Sequence, residues 1–427
     1  MRIVNQQQEQ PSPSRQGTGY EQGGGIGTSL MTIEPYGGQH FMSIFQQENT
    51  TSPERILLKY YVERLAALCT ITLLRDNGFQ SVLLPMAIDD PSLLYALFAY
   101  ASFHLSATTI AIPDILRLSR LKFTGEAARG LSRAIQRNTV SASSVACALI
   151  CSTAEVVSGS TRQWFVHLRG AGHLILSRGG ENGNWLRSSR DGIFLLRNFA
   201  YHDIMAALST GTRPQILGVY WIDHEEGAGT DCIMGLLHHR ILGYISQMCV
   251  FIADVSEQTS EEDEDDVLQR GYEISQRLGE EPLGGTSNNN HNDEYDILYH
   301  HAESFRYASL IRLNRFLFRM QPNNDDHPEN SDDFNNLIEN LMAHLSQIPL
   351  GYHCEMGLVF PVFMLGVYAG PKHLIMDYVR QRLDHLFGWT RFEHVNRVRS
   401  VLEMLWRSGR EDWDCLLKEL RWCVSIA

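Results

Sequence analysis

Lysine is nearly missing from this chain. Only Lys59, Lys122, Lys372 and Lys418 occur, so almost all of the 36 basic residues are arginine. Arginine is favoured where a planar fork pairs or stacks within helix interfaces, although genomic composition produces the same skew. No run approaches the roughly 18 apolar residues of a membrane span. Hairpin dipeptides between alternating segments are absent, and so is a clean internal repeat. The opening MRIVNQQQEQPSPSRQ has no apolar core and does not read as a signal peptide. Cysteine is absent from the first 68 residues, and of the eight present only Cys147 and Cys151 stand at i and i+4. In the apolar run VACALICSTAEVV these two are expected to be buried free thiols, not ligands or a disulfide. A cytosolic or nuclear setting is expected.

What is present is acidic and ordinary. Forty-nine acidic residues against 36 basic ones give a net charge of −13. Such a surface repels a phosphate backbone unless a basic patch is concentrated somewhere. With 44% hydrophobic and 20% charged residues, the 427-residue chain suits two or three average domains or one large helical one.

Residues 1–52 are rich in Gln, Gly, Ser and Pro and are expected to be disordered. The glycines at Gly23–Gly27 follow no strand, so they read as linker and not as a phosphate loop. Ser52-Pro53-Glu54 looks like a cap, a proline at the first helical position and a first-turn acid. The helix it opens should stop near Asn77-Gly78. Asp90-Pro91 caps a helix that is apolar nearly all round, with His104 expected as a hydrogen-bonded core histidine. Pro113-Asp114 opens an amphipathic, Arg-rich helix running roughly to Arg137. Helices are further expected over Ser141–Ser158, Arg190–Ser209, Ile233–Val255, Val267–Leu278 and Ile297–Arg319, and from Leu337 onward. Pro361 should kink or begin a helix. Trp389–Trp406 and Asp412–Trp422 close the chain, and Gln215–Thr230 receives no assignment. Polar interruptions near 256–266, 282–292 and 321–333 read as mobile loops.

The stretch Trp164–Gly180, WFVHLRGAGHLILSRGG, organises the rest. At 100° per residue Trp164, Leu168, Ala171 and Ile175 form one line, widened by Phe165, Gly172 and Leu176. Arg169, His173 and Ser177 lie opposite. Gly170 and Gly172 each cost about 1 kcal/mol of helix propensity, which a closely approaching neighbour helix explains. Gly179–Gly180 supply the left-handed stop.

This segment resembles the Trp-x-x-His-Leu-x-Gly-Ala segment of the fungal-specific transcription factor domain, in the second of its two forms. The likeness runs from about Glu54 to the C-terminus. It takes in LLKYYVERLAAL, LLPMAIDDPSLLYALFAYASFHLS, GLVFPVFMLGVYAG and WTRFEHVNRVRSVLEMLW. The resemblance makes Trp164, His167, Leu168, Gly170, Ala171, Gly179 and Gly180 the family's structural motif. It also implies a regulatory region that usually follows a Zn₂Cys₆ DNA-binding cluster. That cluster needs C-x₂-C-x₆-C half-sites, and no cysteines here have that spacing. The likeness therefore covers the regulatory half alone, through truncation of the gene model or natural loss.

The sequence carries no convincing catalytic signature. Gly-x-Ser-x-Gly and His-Glu-x-x-His are absent. His238-His239 and His300-His301 point 100° apart on a helix and read as exposed polar residues. Asp325-Asp326-His327-Pro328-Glu329 resembles the magnesium motif of all-α terpene cyclases, but a proline interrupts it and a second motif is missing. The run EEDEDD at Glu261–Asp266 reads as a solvated loop. Trp164 and Trp185 are expected in the core, not lining an effector pocket.

The expected protein is all-α, a large domain of antiparallel helix pairs over 53–427 around a central apolar core. It is expected to be a nuclear fungal transcription regulator of RNA polymerase II genes, with a metabolic or secondary-metabolite pathway as one candidate target, and not an enzyme. Its partners are itself or other regulators, DNA is reached only indirectly, and no cofactor, metal or membrane is called for. An all-α enzyme of secondary metabolism and a non-transcriptional scaffold are the rivals.

Overall fold

The computed structural model describes residues 52–71, 77–108, 114–178, 181–216, 238–257, 263–280, 293–321, 332–368 and 373–427. Among them every regular element is a helix and no strand occurs. All belong to one unit, Phe45–Ala427. The tail with Gly23–Gly27, Gly179-Gly180, most of Gln215–Thr230, the 282–292 segment and Asp325–Glu329 lie outside the described residues.

Caps set the helix starts. Ser52 accepts the N–H of Arg55 at 3.3 Å, with Pro53 and Glu54 in the first turn of α1 (Pro53–Tyr60). The helix continues through a π-helical stretch, Tyr61–Leu65, to a last turn at Ala66–Leu68. It therefore ends before the expected stop at Asn77-Gly78. Asn77 has a different role: its oxygen accepts the Phe79 N–H at 2.9 Å while its amide donates to the Ala66 carbonyl at 2.6 Å. One side chain thus ties the last turn of one helix to the first of α2 (Gly78–Ser81). After α3 (Leu83–Asp89), Asp90 accepts the Ser92 N–H at 2.8 Å and opens α4 (Pro91–Thr108).

Helix α4 is buried on most sides, and α1, α5 (Asp114–Gln136) and α6 (Ala142–Val157) pack around it. Helix α6 begins with a Ser141/Ser144 capping box. It also contacts α7 (Gln163–Ser177) and α8 (Arg190–Thr210), the latter ended by Gly211 at φ 67°. The second half is built around α11 (Asp293–Arg319). Against it lie α9 (His238–Ser256), α10 (Glu264–Glu280), α12 (Asp332–Gln347) and α13 (Val359–Tyr368). Every residue of α13 is buried, and Pro361 sits in its first turn, so it begins the helix without kinking it. The chain closes with α14 (His373–Thr390), α15 (Glu393–Ser408) and α16 (Trp413–Leu420).

Three expectations need correction. Glu264–Asp266, expected in a loop, form the first turn of α10, and Asp332 and Asp333 do the same for α12. Carboxylates there complement the free N–H groups of a helix start, so a charge run is also a helix signal. The segment Trp389–Trp406 is two helices: Trp389 and Thr390 end α14, Arg391 takes φ 59°, and Phe392 precedes α15. His301 is fully buried, not exposed.

Arginines fill the helix ends. Arg306 donates to the carbonyls of Leu278 and Gly279 at 3.2 and 3.3 Å, closing α10. Arg382 donates to those of Leu345 and Ile348 at 3.2 and 2.7 Å, closing α12. The last carbonyls of a helix lack intrahelical partners, and one guanidinium fork reaches two of them where a lysine supplies a point charge.

Candidate functional site

The α6–α7 hairpin carries the motif, and it is where the first and last parts of the chain meet. Trp164 is buried, and its indole N–H donates to the Cys423 carbonyl at 2.7 Å. The Cys423 N–H returns to the Thr161 carbonyl at 2.7 Å. Arg397 on α15 donates to the Gly159 carbonyl at 3.2 Å, and its guanidinium lies 5.6 Å from the Trp422 ring centre. Ser152 on α6 donates to the Trp164 carbonyl at 2.8 Å. Val424 and Ile426 are buried, so the tail after α16 is a strap across the hairpin turn.

The buried stripe of α7 is Trp164, Leu168, Ala171, Gly172, Leu174 and Ile175. It differs from the expected line in taking in Leu174, while Leu176 is 43% exposed. Arg169, His173 and Ser177 are exposed, as expected. The two glycines differ. A Cβ on Gly172 would stand 2.7 Å from the side-chain amide oxygen of Gln215 and 3.1 Å from the Phe199 ring. A Cβ on Gly170 would meet nothing within 4 Å, so close approach does not explain that glycine. His167 is half-buried; burial lowers its pKa, and the charge of Glu155 works against that. Trp185 donates its indole N–H to the Ile175 carbonyl at 2.8 Å beneath Arg178. Both tryptophans weighed as pocket walls thus hold backbone instead.

Histidines and carboxylates meet elsewhere, and each meeting has a packing role. His104 carries its proton on Nε2, which donates to the Thr390 carbonyl at 2.6 Å, because a carbonyl can only accept. Its Nδ1 then accepts from Tyr60 at 2.8 Å. Burial brings its pKa down to about 4, against the pull of the Thr390 carbonyl. Arg64 donates to the neighbouring Trp389 carbonyl at 3.0 Å, so α14 is closed from the far end of the sequence. On α11, Glu303 holds Arg306, and His300 meets His344 nitrogen to nitrogen at 2.9 Å. His301 is hydrogen-bonded to the backbone of Cys354, and burial takes its pKa to about 3. Glu355, with no exposed surface, accepts the Gly351 N–H at 2.6 Å and lies 3.4 Å from Arg382 and 3.3 Å from His385. The hydrogen bond of Cys147 with Cys151, and then burial, raise the Cys147 thiol well above its ordinary value, which makes it a poor nucleophile. Among the described residues no group of three or more His, Cys, Asp or Glu side chains converges as a metal site, and no helix is long and apolar enough to cross a membrane.

Sequence reasoning missed the outer face of α5. Leu118, Leu121 and Ile135 are 66%, 70% and 57% exposed there. The signal was available: alternating steps of three and four link these residues through Gly125, Ala128 and Ser132, beside the inner stripe of Phe123 and Ala127.

Comparison with known families matches residues 56–427 to the fungal specific transcription factor domain. No curated protein and no solved structure matches the chain.

Proposed function

The chain belongs to the family of fungal specific transcription factor domains, and from that premise we propose that it regulates RNA polymerase II genes in the nucleus through contacts with other proteins. The observation that carries this reading is the family match over 56–427 on a chain of net charge −13 without zinc-cluster cysteine spacing. Acidic surfaces are repelled by phosphate, so DNA is reached through partner proteins. Residues 53–427 act as one regulatory domain. Its motif residues are Trp164, His167, Leu168, Gly170, Ala171, Gly179 and Gly180, of which Trp164, Leu168 and Ala171 are buried in the α6–α7 hairpin. Among them Trp164 ties the hairpin to the C-terminal strap, and the chemistry is binding, not catalysis.

Tethering the full chain to a foreign DNA-binding domain upstream of a reporter tests the reading. Output should change relative to that DNA-binding domain alone. Unchanged output, or tight sequence-selective binding of a duplex by the purified chain, would overturn it.

A further inference from the structure

Helix α5 has two faces that both follow a helical repeat, and only one is used by the fold. The inner face is closed: Phe123 and Ala127 have no exposed surface, and a Cβ on Gly130 would strike Ser92 of α4. The outer face runs Leu118, Leu121, Gly125, Ala128, Ser132 and Ile135. These steps of three, four, three, four and three are the a and d spacing of a helix that pairs with another helix. Leu118, Leu121, Ala128, Ser132 and Ile135 are exposed, and a Cβ on Gly125 would meet only the Arg129 guanidinium. The seam is about 26 Å long. Its ends are bulky and its middle is small, which lets a second helix come close and seat large side chains there. A soluble protein seldom leaves apolar residues in such register open to water without a use.

One border of the seam is mainly basic. Lys122, Arg129 and Arg133 lie along it, all exposed, on a chain whose net charge is −13. The acids facing them are few. Glu126 pairs with Arg129 at 2.7 Å, and Glu54 of α1 pairs with Lys122 at 3.3 Å. Arg120 is drawn away over the Phe103 ring of α4. A second copy would bring these cations against their own kind. A nucleic acid would meet the cations but would leave the leucines and isoleucine uncovered.

We propose that the outer face of α5 is a docking surface for an acidic amphipathic helix of a partner protein, with apolar residues seated along Leu118–Ile135 and carboxylates turned to Lys122, Arg129 and Arg133. This rests on the reading of the domain as one that works through protein contacts, and it names the partner class.

The test uses the purified full chain and a labelled synthetic helix with leucine at a and d positions and glutamate at e and g, followed by fluorescence anisotropy. The glutamate helix should bind, and added salt should weaken it. Leu121→Glu and Arg133→Glu should each weaken binding at least about tenfold, equal to about 1.4 kcal/mol. Both positions are exposed, so circular dichroism should show unchanged helicity. A helix with lysine in place of glutamate should not bind. The proposal fails if the glutamate helix does not bind, if Leu121→Glu leaves binding intact, or if duplex DNA displaces the helix from the face. It also fails if sedimentation shows a dimer that Leu121→Glu dissolves. The tethered reporter separates the two ideas: absent peptide binding with reporter output preserved removes the docking face and leaves the proposed function standing.

Discussion

The indole N–H of Trp164 and the carbonyl of Cys423 lie 2.7 Å apart across 259 residues of sequence. The bond fixes the tail of the chain on the turn that precedes α7, and the reciprocal bond from Cys423 to Thr161 makes the contact two-stranded in function without a sheet. Trp164→Phe should cost about 1 kcal/mol for the bond, because the Cys423 carbonyl loses its donor. Trp164→Ala should cost about 3–5 kcal/mol by adding a cavity. Urea unfolding of the full chain measures both. Equal stability of Trp164→Phe and the parent would show that the bond contributes nothing.

The two motif glycines should separate under the same substitution. Gly170→Ala places a methyl in open space and gains about 1 kcal/mol of helix propensity. Gly172→Ala pushes Gln215 away, and with it the hydrogen bond from Gln215 to the buried Asp203 at 3.3 Å. It should therefore be less stable than Gly170→Ala by more than about 1 kcal/mol. Thermal unfolding of the pair decides the matter, and identical shifts would contradict this packing account.

Acid should destabilise the protein through buried neutral histidines. Burial lowers His104, His202 and His394 from the ordinary value of 6.5 to about 4. Unfolded, these groups take up protons below about pH 6.5; folded, they resist until about pH 4. The unfolded state therefore binds more protons in that window, and stability falls as pH drops through it. His104→Gln should flatten this slope, so the variant's stability deficit should be largest above pH 6.5 and shrink as pH falls toward 4. Urea midpoints across the window test this, and an unchanged slope would remove His104 from the explanation.

Glu355 and Arg382 are both buried, 3.4 Å apart. Glu355→Ala leaves a buried guanidinium without its counter-charge and should cost about 3–5 kcal/mol. Combining Glu355→Met with Arg382→Met should cost less than the sum of the two single changes, because neither charge is left alone. Chemical unfolding of the four proteins forms the cycle, and strict additivity would show that the two groups do not interact.

Much of the helical layout can be read from local chemistry. Ser52, Asp90 and Ser141 mark helix starts by side-chain capping, and those bonds span at most three residues. Asn77 and the Thr390–Phe392 turn were harder to read. Asn77 resembles a stop signal until its second partner, Ala66, is known, and Arg391 enters the left-handed region without a glycine to announce it. His300-His301 misled for a related reason: polarity alone does not reveal that α11 is almost wholly enclosed from His301 to Leu313, while His300 just before it is half-buried.

The sequence by itself determined that the chain is helical, where most helices begin, the central line of the core stripe of α7, and that zinc-cluster spacing is missing. These are properties of neighbours within one or two turns, where steric and hydrogen-bonding preferences act directly. Only the tertiary structure decided that Trp164 holds Cys423, that His104 closes α14 at Thr390, that Gly172 is crowded while Gly170 is not, and that the leucines of α5 face water. Each depends on which distant segment packs against a given face. Periodicity says that a face is apolar, but what covers it is settled only when the rest of the chain has folded around it.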